Sequence, residues 1–214
     1  MLCLGIDTSA AHCTAALVDG GAVLAARFEP MAKGQAERLM PLVDEIFAEA
    51  GKTAADLGAI GVGIGPGNFT GLRISVSAAR GLALALARPA IGVSIFEARR
   101  YGIKGPLSVI EDARRDEAYL QSFDDQGRAD EARLVTLNTL SARELAQQVT
   151  GSLGPQIADA YGLTYVAPPV MIATAIAHIA EAKQATDMPL PRPSPLYLRA
   201  ADAAPAREYG PRLL

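Results

Sequence analysis

This 214-residue chain contains no tryptophan, only two cysteines and two histidines, and 5% aromatic residues. Each scarcity excludes something. His12 and His178 are too far apart in sequence for a local two-histidine metal motif, and neither has the acid and nucleophile neighbours that would define a triad. Cys3 and Cys13 lie one in each of the first two apolar runs and read as small core residues. With two cysteines and no secretory leader, the chain fits a reducing cytoplasm, where a structural disulfide is unusual. Charge of one sign is also missing: 20 basic against 23 acidic side chains leave a formal charge of -3, so no global field recruits nucleic acid or an anionic membrane. The longest apolar helical segment is interrupted by Arg73 and Arg80, which disfavours membrane insertion.

What the chain does have is glycine at every second position in Gly61-Val62-Gly63-Ile64-Gly65-Pro66-Gly67, followed by Asn68-Phe69-Thr70-Gly71-Leu72-Arg73. The spacing misses the dinucleotide fingerprint, and no Gly-Lys-Ser/Thr ending is present, so both common nucleotide motifs fail. Three uses stay open for this turn: the fold itself, a partner, or a phosphate cradled by backbone N–H groups at a helix start. Asn68 is placed to cap the turn, and Thr70 to serve as N-cap of a helix beginning near Gly71.

Periodicity supplies the rest of the outline. Strands are expected at Leu2 to Ile6, Thr14 to Val18 and Val23 to Phe28, the last two joined by Asp19-Gly20-Gly21. A helix is expected from Gln35 to Ala50, with Leu39, Leu42, Val43, Ile46 and Phe47 on one stripe and Gly51 as its stop. Thr53 and Asp56 have the spacing of a short helical start, and the next strand enters at Ala59. After the glycine turn, Gly71, Ser75, Ala79 and Ala83 recur every fourth residue, a row of small side chains that lets another helix come close. That row and the Gln35 to Ala50 stripe suit either a partner helix or the chain's own sheet.

A second lobe is expected from about Tyr101, giving an N-terminal lobe over 1–100 and a smaller lobe with a proline-rich tail over 101–214. Within it, Leu107 to Ile110, Ala118 to Phe123 and Leu134 to Leu137 read as strands. Ser141 and Glu144 form a capping pattern that predicts a helix through Val149, Gly151 to Pro155 reads as a loop, and Val170 to Lys183 as a final helix. The prolines after position 188 disfavour regular structure, with Leu196-Tyr197-Leu198-Arg199 as an island able to anchor on the surface.

Candidate chemistry is sparse. Asp7, followed by Thr8 and Ser9, suits either a capped turn or a magnesium-phosphate contact, with His12 as a possible companion across the turn. Arg99, Arg100, Arg114 and Arg115 are the best candidates for a local anion patch, although arginines are ordinarily solvated. Glu111, Asp112, Asp116 and Glu117 belong to a mixed-charge turn with no assignable acid-base pair.

Taken together, Leu4-Gly5-Ile6-Asp7-Thr8-Ser9, Gly65 to Arg73, Asp112 to Tyr119 and Pro195 to Arg199 resemble the bacterial TsaB family, also called YeaZ. The resemblance covers nearly the whole chain, and the Gly-Pro-Gly-Asn-Phe-Thr-Gly-Leu-Arg run is its most specific part. It implies a two-lobed α/β, actin-like ATPase (ribonuclease H-like) fold with mixed sheets flanked by helices, in a cytoplasmic protein. It further implies a noncatalytic partner in the machinery that places threonylcarbamoyl on adenosine beside the tRNA anticodon, with no catalytic or metal-binding residues of its own. The reaction is expected in a TsaD-like paralogue, with a small TsaE-like ATPase, and with ATP and Mg used by the wider complex, while no cofactor-binding residue is assigned in this chain. Contact with tRNA is expected mainly through that complex, and a homodimer when the chain is alone. The partner-binding residues the resemblance implies are Gln35, Glu37, Arg38, Leu39, Leu42, Val43, Ile46, Gly71, Arg73, Ser75, Ala79 and Ala83. The paralogue's metal-binding histidine pair has no counterpart on the first helix, which carries Gln35, Glu37 and Arg38. An autonomous actin-like ATPase or small-molecule kinase using Asp7 and the glycine turn, and a homodimeric structural protein, are the alternatives.

Overall fold

The computed structural model describes residues 1–186 and 189–199. Among the described residues, ten strands form two five-stranded mixed sheets. In the first, the order is β3 (Ala22–Pro30), β2 (His12–Asp19), β1 (Leu2–Asp7), β4 (Ala59–Gly63) and β5 (Ala90–Val93). The second runs β8 (Arg133–Thr136), β7 (Glu117–Phe123), β6 (Leu107–Arg114), β9 (Gln148–Thr150) and β10 (Thr164–Tyr165). Each sheet pairs its first three strands antiparallel and adds the last two parallel. The topology is therefore duplicated, although the sequence shows no repeat.

The helices are α1 (Gln35–Ala50), α2 (Phe69–Leu86), α3 (Ile95–Arg100), α4 (Gly154–Tyr161) and α5 (Ile172–Gln184). Strands β1 and β4 are buried on both faces, as parallel central strands require. On one face Leu4, Ile6, Leu17, Ile60 and Val62 pack against the inner sides of α1 and α2. On the other, Cys3, Val18, Ala59 and Ile91 meet Ala177 and Ala180 of α5. The close approach of α5 depends on Gly5, where an added Cβ would stand 2.1 Å from the Ala173 carbonyl oxygen. In the second sheet Leu107, Val109 and Tyr119 face α3 and α5, while Ile110, Leu120 and Val149 face α4. Helix α5 thus packs on both sheets.

Helix α1 has the bounds its apolar stripe predicts, and Gly51 ends it in a left-handed conformation at φ 61°. The Thr53 and Asp56 box closes a single 3-10 turn before β4. Three expectations are corrected. Helix α2 starts two residues earlier than Gly71: Asn68 is its N-cap, accepting from the Gly71 N–H at 3.0 Å, and Thr70 lies exposed in the first turn. The Ser141 and Glu144 box forms but holds only the 3-10 turn Ala142–Glu144, because Gln148 to Thr150 are taken by parallel pairing with Leu107 to Val109, which buries Val149 and Thr150. The predicted loop around Gly154 and Pro155 is instead the start of α4, where a proline in the first turn costs no hydrogen bond.

Candidate functional site

The turn after β1 is tied to the glycine turn before α2. Asp7 Oδ1 accepts from the Ser9 N–H at 3.0 Å and the Ser9 hydroxyl at 2.8 Å, and shares a 2.6 Å contact with His12 Nε2. Asp7 is 1% exposed, and the His12 ring leans on Phe28 with centroids 5.1 Å apart. The Ser9 carbonyl accepts from the Asn68 N–H at 2.6 Å, and the Thr8 hydroxyl donates to the Gly71 carbonyl at 2.6 Å. Asp7 Oδ1, the Ser9 hydroxyl and carbonyl and the Thr8 hydroxyl are thereby engaged on the chain itself, and the arrangement braces the turn.

A cleft of about 890 Å³ opens between the sheets, lined by Ser9, Lys33 and Asn68 on one side and by Arg99, Arg114, Ser152 and Arg199 on the other. Asp7 is not among its lining residues. Of the four arginines singled out in the sequence, Arg99 and Arg114 meet in this cleft; Arg100 instead lies over the Phe123 ring at 5.6 Å, and Arg115 sits at the tip of the β6–β7 hairpin. Arg99 Nε donates to Glu111 at 2.7 Å, while Arg199 donates to the Ala113 carbonyl at 2.7 Å and pairs with Glu117 at 2.6 Å. Since Glu37, Glu111 and Asp112 line the same cleft as Lys33, Arg99, Arg114 and Arg199, its charge is mixed, with one more cation than carboxylates. Among the described residues no three His, Cys, Asp or Glu side chains are grouped to hold a metal ion. The two cysteines are buried on opposite faces of the first sheet, and burial pushes the thiol of Cys3 up to about 12 and that of Cys13 up to about 11.

The helix-face residues divide sharply. Leu39, Leu42, Val43 and Ile46 are buried by the chain's own sheet, as are Gly71, Ser75 and Ala79. Within the chain, the apolar stripe and the small-residue row cover the parent fold. Ala83, Gln35 and Arg38 are half-buried, and Glu37 and Arg73 are exposed. Arg38 is spent on a clamp, with Nε and Nη2 on Glu29 at 2.7 and 2.6 Å and Nη1 and Nη2 on Glu45 at 2.7 Å each. These bonds hold both carboxyls below the usual carboxylate range.

The exposed side of α2 carries features that its sequence period did not single out. Leu84 is 86% exposed, and Phe69 and Tyr197 are each about half exposed. Arg73 places its guanidinium 3.8 Å above the Phe69 ring, and Phe69 and Tyr197 have centroids 5.3 Å apart. Helix α2 is long and apolar enough to cross a membrane by length and composition, yet Leu72, Val76 and Ala79 belong to the core. The terminal island anchors: the Leu196 N–H donates to the Ile64 carbonyl at 2.7 Å. Pro205 and Pro211 of the expected tail lie outside the described residues.

With this geometry in hand, likeness to known proteins is specific. The family model for TsaD, tRNA N6-adenosine threonylcarbamoyltransferase, matches residues 29–137. The tRNA threonylcarbamoyladenosine biosynthesis protein TsaB of Escherichia coli (strain K12) is 37% identical over 129 residues, spanning 58% of this chain and 55% of that one, so the match covers about half of that relative's length. An uncharacterized protein of Mycobacterium tuberculosis is 36% identical over 208 residues, 94% of this chain and 93% of that one. YeaZ from Pseudomonas aeruginosa superposes with a TM-score of 0.76 at 26% identity, covering 92% of this chain and 99% of the other. An activator of the 2-hydroxyisocaproyl-CoA dehydratase from Clostridium difficile, with bound ADPNP, shares the fold alone, with a TM-score of 0.56 at 11% identity. The two mixed sheets with flanking helices are the actin-like architecture.

Proposed function

Because this chain belongs to the TsaB (YeaZ) family, we propose that it is a noncatalytic partner that binds and activates a TsaD-type transferase forming threonylcarbamoyladenosine beside the tRNA anticodon. The single observation that carries this reading is the division of labour between the inner and outer faces of α2. Its inner side is fastened at the first turn to the Asp7-Thr8-Ser9 turn, which is itself braced by bonds to Asp7 Oδ1. Its outer face presents Phe69, Arg73, Arg80 and Leu84 to the outside. A scaffold needs the second feature, and the first fixes the helix that displays it. The surface we assign to the partner keeps Glu37, Arg73 and the edge residues Gln35, Arg38 and Ala83, and adds Met40, Phe69, Arg80 and Leu84 in place of the buried stripe.

In this reading 1–100 supplies the partner-binding lobe and 101–214 the smaller lobe and tail, both working in the cytoplasm. ATP and magnesium serve the wider complex, including a TsaE-like ATPase, and tRNA is met mainly through that complex. The same outer face would let two copies of the chain pair when the partner is absent.

The deciding experiment is transfer of labelled threonylcarbamoyl to unmodified tRNA by the TsaD-type enzyme, with synthase, small ATPase, threonine, bicarbonate and ATP, with and without this chain. Strong dependence on a chain that has no activity alone supports the proposal. Unchanged transfer with every component folded removes it.

A second reading, a nucleotide held between the lobes, is favoured by Arg99, Arg114 and Arg199 on the cleft wall. Saturable magnesium-ATP binding by the isolated chain, lost in Arg114→Ala, would support it; a flat isotherm would dismiss it.

A further inference from the structure

Residues 189–199 run back from α5 as a strap, and its last part is fixed at both ends. Leu196 is hydrogen-bonded to Ile64 beside the glycine turn, and Arg199 is bonded to Ala113 and Glu117 of the β6–β7 hairpin. Tyr197 is held between these two anchors. Its ring meets Phe69 at a 32° tilt, and Arg73, over Phe69, points Nε toward the Tyr197 hydroxyl at 3.4 Å. Phe69 is nevertheless 49% exposed and Tyr197 48%.

We propose that the partner surface is composite: the C-terminal strap completes it by seating Tyr197 on Phe69 and Arg73, and the resulting stack takes a carboxylate flanked by apolar side chains on a partner protein. This rests on the scaffold reading above and names what its surface recognises. Tyrosine and arginine dominate binding energy at protein interfaces, and here they are already ordered by one another, so little side-chain freedom is lost on docking. The charge that would complete the face is negative. Arg73 and Arg80 form no salt bridge among the described residues, and α2 contains no acidic residue. A nucleic-acid backbone is also negative, but the neighbouring α1 carries Glu37, Asp44, Glu45 and Glu49 against Arg38 alone. Such a helix repels a phosphate chain and accommodates a protein that brings its own basic residues.

The test is calorimetric titration of the TsaD-type partner with the full chain and with Tyr197→Ala, Tyr197→Phe, Phe69→Ala and Arg73→Glu. Expected is a loss of affinity of about 30-fold for Tyr197→Ala and Phe69→Ala and a larger one for Arg73→Glu, as for central interface anchors. Tyr197→Phe should change affinity by less than about 3-fold, because a 3.4 Å hydroxyl contact contributes little. Unchanged melting temperatures would show that the losses belong to the surface and not to the fold. If the wild-type chain binds and the stack variants bind equally well, this inference is overturned and the scaffold reading stands. If the wild-type chain does not bind, both fall. Unchanged partner affinity combined with weaker retention of unmodified tRNA would overturn the protein assignment in favour of a nucleic-acid contact.

Discussion

Gly71 lies directly against Thr8: the Thr8 hydroxyl donates to the Gly71 carbonyl at 2.6 Å, and a Cβ on Gly71 would stand 1.9 Å from the Thr8 carbonyl oxygen. The first turn of α2 is seated on the turn after β1 only because that Cβ is missing. Gly71→Ala is therefore expected to destabilise the chain by about 1–3 kcal/mol through overpacking against backbone that cannot yield. Gly81, in the same helix, is exposed and a Cβ there meets nothing. Gly81→Ala should stabilise by about 0.5–1 kcal/mol through helix propensity. Urea unfolding of the pair decides it; two effects of the same sign would mean that the contact does not govern α2.

The cysteines give a second prediction. Cys13 lies on the α1 side of the sheet and Cys3 on the α5 side, so no disulfide can join them without unfolding strands β1 and β2. Burial raises both thiols, to about 11 and about 12, leaving little thiolate at pH 8. Native protein should gain no alkyl adduct by mass spectrometry under conditions in which denatured protein gains two. Rapid labelling of either thiol in the native state would show that its site opens.

The Arg38 clamp predicts a pH dependence with a defined sign. Arg38 lowers the carboxyls of Glu29 and Glu45 below their ordinary 4.5. A carboxyl depressed in the folded state contributes stability above its unfolded value and loses that contribution as pH falls through the folded value. Arg38→Met should melt lower than wild type at pH 7, and the two curves should converge as pH drops well below 4.5. Parallel curves across that window would mean that the clamp is neutral, as many exposed pairs are.

Much of the fold was legible because its information is local. Helix α1 has five apolar residues on one stripe and a glycine at its end, and both features lie within seventeen residues. Strand β9 was not legible, because Gln148 to Thr150 are extended only by pairing with Leu107 to Val109, some forty residues away, against a genuine capping box at Ser141. The same limit applied to the site. Periodicity shows which face of a helix is apolar and not what covers it, so Leu39 and Ala79 read equally well as partner contacts or as core. Tyr197 could be recognised as an anchor, but its seat on Phe69 and Arg73, 124 residues from Arg73, is set by the strap.

The most exposed large apolar side chain offers the sharpest separation between folding and assembly. Leu84 is 86% exposed near the C-terminal end of α2, four residues after the exposed Arg80. Since it contributes almost nothing to the chain's own core, Leu84→Glu should leave stability within about 0.5 kcal/mol of wild type. If α2 docks on a partner, burying this side chain is worth about 1.5–3 kcal/mol, and the substitution should weaken association by about 10- to 100-fold. Titration with the TsaD-type partner measures the heterologous contact, and sedimentation of the chain alone measures any self-association through the same face. Loss of both with an unchanged melting temperature would place Leu84 within a shared docking surface. Full retention of both would shift that surface toward Phe69, Arg73 and the α1 end marked by Met40.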